Sequence, residues 1–567
     1  MLRPVSGTLR SSEWSVLTKW DVHLSLKLEV QPNGPSTLNE ITMRSALFGD
    51  RMAFAALSDG QIEPSGALSY GELVTTACRM ARGLREHGLA YGQRIGIVAM
   101  PRCEYPTTVL GALLAGASAA PINHLFKRRE LVAYLNLLEP AAIVVDDDTI
   151  DGVREALPDL KRRRPLLIGV RDGLGADLHL TDLWRHHPAE PWPVTFDDPA
   201  IILHTSGTTG LPKAVVRSHG AYSAWANMWS RSYLLQTDRT LCFVPLYHQA
   251  ALVVGWLASF AIGVPFFHMQ RFHPEIFWDV VRRHDITWPT GLMAPSPARL
   301  LDQPPSHLDR DHSVRWVMGG SAPDMCREFE RRFGCAIHTG YGSTETTMVT
   351  MPCSPGDVSQ PFSAGKVNPR VHSSPCGWAI PGFSEFRVCR CDGSTTDTEE
   401  IGSLEVRGPA VFTQYFHDPT RTGQSFSSDG WFVPGDAAYV DAPGCLYVLG
   451  RTGEFIRRSG ENIAPREVEA VIEEIPGIVE AAVVGVPDAA RGAELLACIV
   501  PADSDGPSAD DVFAYCRSQL AVFKVPRYIE FRAELPKTAT FKVQKNRLLE
   551  DTDPSTRIDR YDHSRKT

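Results

Sequence analysis

Apolar and polar residues follow two different rhythms along the first two-thirds of the chain. Residues 94–100 form a nearly continuous apolar run, as expected for a buried strand, whereas residues 70–88 repeat apolar side chains at helical spacing. Residues 109–120, rich in small side chains, are predicted as a helix, and residues 141–145 as another strand. Because strands that alternate with helices build largely parallel sheets, this region is predicted to be layered α/β structure.

The rhythm changes after about residue 370. Short apolar runs at 386–388, 403–406 and 445–449 are separated by Gly and Pro, which predicts a β-rich subdomain over about 370–450. A small α+β domain is predicted next, with helices at 465–474 and 509–520 and strands at 479–486 and 494–500. The expected organisation is an N-terminal extension (1–40), a large N-terminal domain (41–450), a linker at 450–453, a small C-terminal domain (454–550) and a polar, frayed tail (551–567).

The composition is that of a globular protein with a mildly acidic balance. The 567 residues include 57 Lys and Arg against 66 Asp and Glu, a net charge of −9, which argues against a general nucleic-acid binder. The 12 cysteines are scattered and residues 1–30 lack the apolar core of a signal peptide, so we expect reduced thiols and a cytoplasmic location. Residues 241–270 contain no Asp, Glu, Lys or Arg, but Pro245 and Pro265 bracket their apolar part, which favours a buried core segment over a membrane span.

The most specific local motif is Thr-Ser-Gly-Thr-Thr-Gly-Leu-Pro-Lys at residues 205–213, directly after the strand-like residues 200–203. The backbone N–H groups and hydroxyls of such a loop can surround phosphate oxygens, and Lys213 adds a positive charge. The motif differs from the phosphate-binding loop of P-loop nucleoside triphosphatases, because Ala214 follows the lysine where that loop needs Ser or Thr. A phosphate-binding turn is favoured over an ordinary polar turn.

Further motifs carry groups that suit a nucleotide and a metal ion. Residues 339–346 place the Glu345 carboxylate beside hydroxyls on a glycine loop, which suits Mg²⁺ and phosphate. Asp436, in a Pro-Gly-Asp turn, is placed to accept hydrogen bonds from ribose hydroxyls, and Arg451 and the Lys-rich residues 536–545 follow it. Each of these motifs alone is more often an ordinary turn, so the specific signal is the order in which they occur.

In this order the motifs resemble those of the adenylate-forming superfamily, which contains acyl-CoA and aryl-CoA ligases, firefly-type luciferases and non-ribosomal adenylation domains. The resemblance covers about residues 40–550 and includes Leu-Ser-Tyr-Gly-Glu-Leu at 68–73, residues 111–121, Pro-Leu-Tyr-His at 245–248, Gly-Gly-Ser-Ala-Pro at 319–323 and Phe-Lys-Val-Pro at 523–526. Within the superfamily, residues 277–278 and 303–305 look most like carnitine- and crotonobetaine-CoA ligases.

The resemblance implies a role for each matched position. Nucleotide binding is expected of Thr205, Ser206, Gly207, Thr208, Thr209, Gly210, Lys213, Gly320, Ser321, Ala322, Thr339, Gly340, Tyr341, Gly342, Ser343, Asp436 and Arg451. Catalytic roles are expected of His248, Thr344, Glu345 and Lys542, with Glu345 binding Mg²⁺ and Lys542 bridging the substrate carboxylate and the α-phosphate. Tyr247, His248 and Met348 are expected in the acid pocket, Ser459, Gly460 and Phe541 in the acceptor channel, and Gly453 at the hinge of a mobile C-terminal domain.

The activity implied by the resemblance is that of an ATP- and Mg²⁺-dependent acid–CoA ligase. A carboxylic acid would attack ATP to form an acyl-adenylate, the small domain would rotate, and CoA would take the acyl group. Two alternatives stay open. One is an adenylating enzyme of a natural-product pathway that passes the activated group to an amine or a carrier-protein thiol, or activates nitrite for N–N bond formation; the other is a non-catalytic binding protein on this fold. No nucleic-acid partner and no membrane span are expected, and a homodimer is compatible with the resemblance.

Two positions depart from the family pattern near the acceptor channel. Phe541 replaces the usual glycine before the catalytic lysine, and Ser459 stands where some relatives have a second glycine. Neutral drift is favoured as the explanation over a narrowed or unused CoA channel. His204, directly before the phosphate loop, is interpreted as a core histidine in preference to a ligand.

Overall fold

The computed structural model describes residues 37–206, 212–293, 296–320, 323–338, 340–351, 375–452, 456–458, 461–488, 491–503, 506–520, 522–537, 543–550 and 556–561. Within these residues, the first sheet has seven strands, which in spatial order are Ala336–His338, Trp316–Gly320, Trp288–Met293, Thr240–Cys242, Phe266–Met269, Met52–Leu57 and Gly66–Ser69. Neighbouring strands of this sheet are parallel except the last pair.

The second sheet is also largely parallel and carries the phosphate-loop motif. Over the described part of the chain it has eight strands, in the spatial order Gln414–Tyr415, Pro212–Ser218, Pro199–Ser206, Ser118–Pro121, Arg94–Val98, Ala142–Val145, Leu166–Gly169 and Leu178–His179. Pro212–Ser218 is antiparallel to both of its neighbours, and the remaining strands continue in parallel from Pro199–Ser206.

Two antiparallel sheets follow in the second half of the chain. One contains Thr350–Met351, Pro375–Ala379, Leu446–Arg451, Asp436–Val440, Gly402–Arg407 and Glu385–Cys389, in that spatial order, and the short hairpin of Gly342–Ser343 and Thr347–Met348 precedes it. The other, in the C-terminal region, contains Glu461–Ile463, Ile456–Arg458, Gly492–Pro501, Tyr528–Phe531 and Ile558–Asp559, with Ile478–Asp488 also paired to Gly492–Pro501. Only the pair Gly492–Pro501 and Tyr528–Phe531 is parallel in the described part of this last sheet.

Helices cover and separate the sheets. In chain order the described α-helices are Leu38–Ser45, Tyr70–Glu86, Glu104–Leu114, Arg128–Leu138, Ile150–Ala156, Leu180–Trp184, His219–Tyr233, Ala258–Ala261, Pro274–Arg283, Ser296–Leu301, Pro323–Phe333, Pro419–Gln424, Pro465–Glu473, Ala509–Gln519 and Lys545–Glu550. A π-helix spans Ala250–Leu257, and short 3₁₀ turns span Ala46–Phe48, Leu157–Asp159 and Val522–Lys524.

The second of these helices shows how local sequence begins an element. Ser69 is its N-cap: its hydroxyl accepts from the Glu72 N–H at 3.2 Å, and the Ser69 N–H donates to the Glu72 carboxylate at 2.9 Å. Such a reciprocal pair satisfies backbone N–H groups that have no partner inside the helix. The helix then buries Leu73, Ala77 and Leu84 along one face. Capping and spacing therefore act together over Tyr70–Glu86.

The two largely parallel sheets and their helices form five layers. Helices Tyr70–Glu86, Glu104–Leu114 and His219–Tyr233 lie between the two parallel sheets, because their buried side chains share one core with residues of both. Pro274–Arg283 and Pro323–Phe333 cover the outer face of the first sheet, and Arg128–Leu138 and Ile150–Ala156 that of the second. The C-terminal sheet has a core of its own with its two longest helices. The predicted α/β fold class, with a large N-terminal domain and a smaller C-terminal one, is confirmed.

Three local predictions are corrected. Residues 109–120 are not one helix: the helix is Glu104–Leu114, and Ser118–Pro121 is a strand, because a turn at Gly116 reverses the chain. Gly450 and Arg451 belong to strand Leu446–Arg451 and not to a linker. The tail is not frayed throughout, since Ile558–Asp559 pairs with Tyr528–Phe531 and Arg560 is 8% exposed.

The apolar stretch at 241–270 lies in the interior, as predicted. The π-helix Ala250–Leu257 buries Leu252, Val253 and Trp256 in the core between the two parallel sheets. The strand Phe266–Met269 is fully buried in the first sheet. No helix among the described residues has the length and apolar character needed to cross a bilayer.

Candidate active site

The phosphate-loop motif begins and ends on a β-hairpin of the second sheet. Strands Pro199–Ser206 and Pro212–Ser218 are antiparallel, and Thr205 lies opposite Lys213. The hairpin therefore brings the first hydroxyl and the lysine of the motif together at the carboxyl end of the parallel strands, where ligands of open α/β sheets bind. Residues 207–211 of the motif lie outside the described residues.

Lys213 and Glu345 meet at one tyrosine that the sequence analysis did not identify. The Lys213 ammonium lies 5.4 Å from the centroid of the Tyr415 ring, and the Tyr415 hydroxyl donates to Glu345 Oε1 at 2.9 Å. Burial lowers the pKa of Lys213, and the nearby Arg421 lowers it further, while Glu345 raises it. Tyr415 thus fixes the predicted metal-binding carboxylate beside the predicted phosphate-binding lysine.

The segment 342–347, called here the Glu345 turn, has a tightly determined shape. A Cβ at Gly342 would clash with the Thr347 carbonyl oxygen, and one at Gly340 with the Thr350 carbonyl oxygen. The Ser343 N–H donates to Thr346 Oγ1 at 3.0 Å. Thr347 has φ 61°, the left-handed region that β-branched residues avoid. The turn therefore depends on two glycines and on contacts that hold Thr347 in an unfavourable conformation.

Arg217 supplies such contacts from the neighbouring strand Pro212–Ser218. It is 0% exposed, and its guanidinium donates to the Thr344 carbonyl oxygen at 3.0 Å and to Thr347 Oγ1 at 2.8 Å. The guanidinium also lies 4.7 Å from the centroid of the Tyr222 ring. The sequence analysis missed this residue, although a charged side chain after Val215 and Val216 in a buried strand was an available signal.

The two predicted ribose-binding groups, Asp436 and Arg451, form one hydrogen-bonded set with Tyr341, which is predicted to lie against adenine. The Tyr341 hydroxyl donates to Asp436 Oδ2 at 2.6 Å, and Arg451 Nε lies 3.2 Å from Asp436 Oδ1. Asp436 and Arg451 are opposite each other on adjacent strands, and Arg451 also donates to the Pro434 carbonyl oxygen. Burial and the Asp436 carboxylate raise the pKa of Tyr341 well above its ordinary value, which keeps its hydroxyl protonated as a donor. The structure thus brings together residues that are about a hundred positions apart in the chain.

The predicted acid pocket adjoins the Glu345 turn through Gln249. Its side-chain amide donates to the Ser343 carbonyl oxygen at 2.8 Å, which ties the turn to the start of the π-helix. Tyr247 lies 5.6 Å from both the His124 and the His204 rings, measured between centroids. Met348 is half-buried and pairs with Gly342 in the short hairpin. Tyr247 therefore contacts the strand that carries Thr205; Gln249, next to His248, contacts the Glu345 turn; and Met348 follows that turn directly.

The histidines of this region are neutral near pH 7. Burial lowers the pKa of His248 to about 4, and its Nδ1 accepts from the Ala250 N–H at 3.1 Å, so the remaining proton lies on Nε2. Burial lowers the pKa of His204 to about 4 as well, and its Nε2 accepts from the Asn123 N–H at 2.8 Å. His204 packs against Phe126 and Tyr134, in agreement with its interpretation as a core histidine.

The side chains around Glu345 suit a Mg²⁺ ion that is coordinated by one protein carboxylate and mainly by a bound phosphate ligand. No group of three or more His, Cys, Asp or Glu side chains in the described parts of the chain is arranged to hold a metal ion. Mg²⁺ commonly uses one or two protein carboxylates together with water and substrate phosphates. A single carboxylate, Glu345, close to the phosphate-loop lysine is consistent with this mode of coordination.

Several predicted site residues lie outside the described residues or are described only in part. Ser206 and Gly320 end strands Pro199–Ser206 and Trp316–Gly320, and nothing further is described for them. Outside the described residues are Gly207, Thr208, Thr209, Gly210, Ser321, Ala322, Thr339, Gly453, Ser459, Gly460, Phe541 and Lys542. Their roles stay predictions.

The fold and this arrangement of phosphate-loop motif, Glu345 turn and predicted ribose-binding groups are those expected of an enzyme that binds an adenine nucleotide. The family model of AMP-binding enzymes matches residues 44–416, and that of the AMP-binding enzyme C-terminal domain matches residues 467–542. The chain belongs to the AMP-binding enzyme family, and the resemblance inferred from its motifs is confirmed.

Similar proteins span nearly the whole chain. A sulfoacetate–CoA ligase of Cupriavidus necator is 32% identical over 515 residues, which cover 90% of this chain and 96% of the relative. An oxalate–CoA ligase of Arabidopsis thaliana is 28% identical, covering 88% and 95%. The ATP-bound structure of MatB from Rhodopseudomonas palustris has a TM-score of 0.78 at 28% identity and covers 89% of this chain and 98% of its own. The o-succinylbenzoate CoA synthetase of Bacillus subtilis, in complex with its acyl-adenylate intermediate, has a TM-score of 0.76 at 26% identity, covering 92% and 99%.

Proposed function

We propose that the protein is an AMP-forming ligase that activates a carboxylic acid with ATP and transfers the acyl group to CoA. The observation that carries the nucleotide part is the linked set of Tyr341, Asp436 and Arg451 beside the Lys213–Tyr415–Glu345 contact. Its relatives named as CoA ligases support CoA as the acceptor over an amine or a carrier protein. We also propose that the protein acts in the cytoplasm and that residues 454–550 move as a separate small domain.

In the first step the acid's carboxylate oxygen attacks the α-phosphorus of ATP and pyrophosphate leaves. Both partners are anionic, so charge neutralisation is a large part of what the site must supply. Lys213, Thr205 and Thr344 would contact the phosphates, and Mg²⁺ bound at Glu345 would neutralise their charge. Lys542 would lie between the carboxylate and the α-phosphate. The acyl-adenylate is then attacked by the CoA thiol, and AMP leaves.

We further propose that the acid is short and carries a second polar group. Tyr247 is 3% exposed, yet its hydroxyl has no hydrogen-bond partner among the described residues. Burial raises its pKa to about 12, so the hydroxyl is a donor at neutral pH. Leaving a buried hydroxyl unpaired costs about 1–3 kcal/mol, which an apolar acid would not recover. Relatives named for sulfoacetate and oxalate fit the same class of acid.

The test is a matched panel of acids incubated with the purified protein, ATP, Mg²⁺ and CoA. Sulfoacetate is paired with 3,3-dimethylbutyrate and malonate with 3-methylbutyrate, because each pair has closely similar shape and differs in polarity. Products are identified by mass spectrometry and rates are compared as kcat/KM. We expect acyl-CoA and AMP, with the polar member of each pair favoured by about 10²-fold or more. Lys542→Ala is expected to slow adenylation by about 10²–10³-fold, the effect of losing one preorganised stabilising group.

The outcomes separate the parts of the proposal. AMP or acyl-adenylate formed while CoA stays intact would overturn CoA as the acceptor and would direct attention to Phe541 and Ser459. Equal or better use of the apolar acids would overturn the substrate class alone. Nucleotide binding without turnover of any acid would favour the non-catalytic alternative.

A further inference from the structure

We propose that Arg217 is a positioning residue that holds the Glu345 turn and thereby sets the affinity of the site for the metal-bound triphosphate. The inference rests on the proposed function, because it assigns the triphosphate to this turn. It concerns a side chain that does not itself lie in the phosphate-loop motif, but follows Lys213 four positions later on strand Pro212–Ser218.

The strand presents both cationic side chains to the same side. Residues at alternate positions of a strand share a face, so Lys213, Val215 and Arg217 are aligned. Val215 packs in one apolar cluster with Tyr341 and Tyr415. Lys213 lies against the Tyr415 ring, and Arg217 reaches Thr344 and Thr347. On this face of the strand, Arg217 therefore contacts the Glu345 turn directly, while Lys213 and Val215 pack against the tyrosines beside it.

The two hydrogen bonds from Arg217 bracket the carboxylate. One ends at the carbonyl oxygen of Thr344, the residue before Glu345, and the other at the hydroxyl of Thr347, two residues after it. The left-handed conformation of Thr347 costs about 1–3 kcal/mol, and it persists only where surrounding contacts hold it. A guanidinium with two fixed donors can restrain both ends of a turn, which a single point charge cannot do.

Both hydrogen bonds that Arg217 donates to the Glu345 turn end at neutral oxygens. The carboxylate whose charge acts on the guanidinium is Glu345. Burial lowers the pKa of the guanidinium, which reflects the cost of keeping a charge away from water. A metal–triphosphate, which carries net negative charge, would lower this cost when it binds. Arg217 thus acts both on the shape of the turn and on its affinity for an anion.

The experiment measures the Mg²⁺ requirement of ATP–pyrophosphate exchange at saturating ATP, with an acid that the wild-type protein activates. Arg217→Met removes the charge and both donors, and Arg217→Lys keeps the charge and one donor. We expect Arg217→Met to raise the Mg²⁺ concentration at half-maximal rate about 10-fold, as is typical when a group that orients a metal ligand is lost. The Mg²⁺ concentration that Arg217→Lys needs for half its maximal rate should lie between those of the wild type and Arg217→Met.

Arg85→Met is the matched control. Arg85 also donates to two backbone carbonyl oxygens, of Leu114 and Glu190, and lies 5.5 Å from the Trp192 ring centroid, but its helix carries no predicted site residue. We expect its Mg²⁺ requirement to match that of the wild type. If Arg217→Met does not fold, Thr347→Val, which removes only the accepting hydroxyl, should raise the requirement about 3-fold, a loss of part of one hydrogen bond.

The proposal is overturned if Arg217→Met lowers the maximal rate or the thermal stability while leaving the Mg²⁺ requirement unchanged. An equal defect in Arg217→Lys and Arg217→Met would overturn the contribution of charge. Failure of the wild-type protein to exchange pyrophosphate with any acid would be a failure of the proposed function, and not of the role of Arg217.

Discussion

The two sides of the candidate site hold their polar groups differently. On the nucleotide side, Asp436 is paired with both Tyr341 and Arg451, and Glu345 with Tyr415. On the acid side, the Tyr247 hydroxyl and Gln249 Oε1 are buried without a partner among the described residues. Side chains that are already paired keep their geometry before the ligand arrives, whereas unpaired ones depend on the ligand for their hydrogen bonds. ATP is the same for every acid, so this difference suits a fixed nucleotide side and an acid side that selects.

Substitution of Glu345 should lower kcat/KM the most, and by the same factor for every acid. Glu345→Gln keeps the size of the side chain and its contact with Tyr415 but removes the charge that would bind Mg²⁺. We expect about a 10²–10³-fold loss of kcat/KM, equal for the polar and the apolar member of each acid pair. Glu385→Gln, an exposed change on the antiparallel sheet, is the control. A loss that differed between the paired acids would contradict a fixed nucleotide side.

Substitution of Tyr247 should have a smaller effect that depends on the acid. Tyr247→Phe removes one buried donor, so we expect about a 10-fold loss of kcat/KM for a polar acid and no loss for its apolar counterpart. Tyr134→Phe is the matched control, because Tyr134 is also buried, contacts the His204 ring and has a hydroxyl with no partner in the part of the chain that the structure describes. Similar losses in both variants would show that packing around His204, and not a hydrogen bond to the acid, is responsible.

The last prediction concerns pH, where we expect an effect on stability and none on the choice of acid. The pKa values of His204 and His248 on the acid side, and of His219 and His268 elsewhere in the interior, are lowered to about 4 by burial. A pKa below its unfolded value means that the unfolded chain binds more protons, so the stability that these groups provide is complete above pH 6.5 and is lost as pH falls toward 4. The free energy of unfolding should decrease by at most about 1.4 kcal/mol per pH unit for each histidine.

Denaturant unfolding at pH 7.5, 6.5, 5.5 and 4.5 checks this prediction. His248→Gln should make the free energy of unfolding fall less steeply with decreasing pH below pH 6.5. Between pH 6.5 and 7.5 the variant and the wild type should show the same small change. Between pH 6.5 and 7.5 we expect little change from these four groups. A constant free energy of unfolding down to pH 4.5 would show that the histidines are not held neutral in the folded protein.

Much of the fold could be predicted because its signals are local. Apolar spacing and the Ser69–Glu72 capping pair mark the helix Tyr70–Glu86, and continuous apolar runs mark the parallel strands. Prediction failed where local signals conflict. Residues 115–120 have small side chains that suit a helix, but the turn at Gly116 and the partners Arg94–Val98 and Pro199–Ser206 make Ser118–Pro121 a strand.

The site was predicted by motif and only partly by chemistry. Glu345, Asp436 and Arg451 were predicted as site residues because they occur in short motifs with a specific order. Tyr415 and Arg217 were missed, because they belong to no motif and contact distant parts of the chain. Tyr415 is 70 positions from Glu345, and Arg217 is 127 positions from Thr344. The orientation of Tyr341 toward Asp436 was equally invisible in the order of residues, because it depends on how the antiparallel sheet packs against the Glu345 turn.

The sequence by itself determined the class of fold, the family, the order of the motifs and the glycines at 340 and 342 that allow the backbone to pass closely. Those properties are carried by local composition and spacing, which act before any distant segments meet. Only the tertiary structure decided that a buried arginine donates to the Glu345 turn and that a tyrosine joins Lys213 to Glu345. It also decided that the Tyr247 hydroxyl, beside His204, has no hydrogen-bond partner among the described residues. Hydrogen bonds and burial of this kind arise between segments far apart in the chain, and their geometry exists only once the layers are packed.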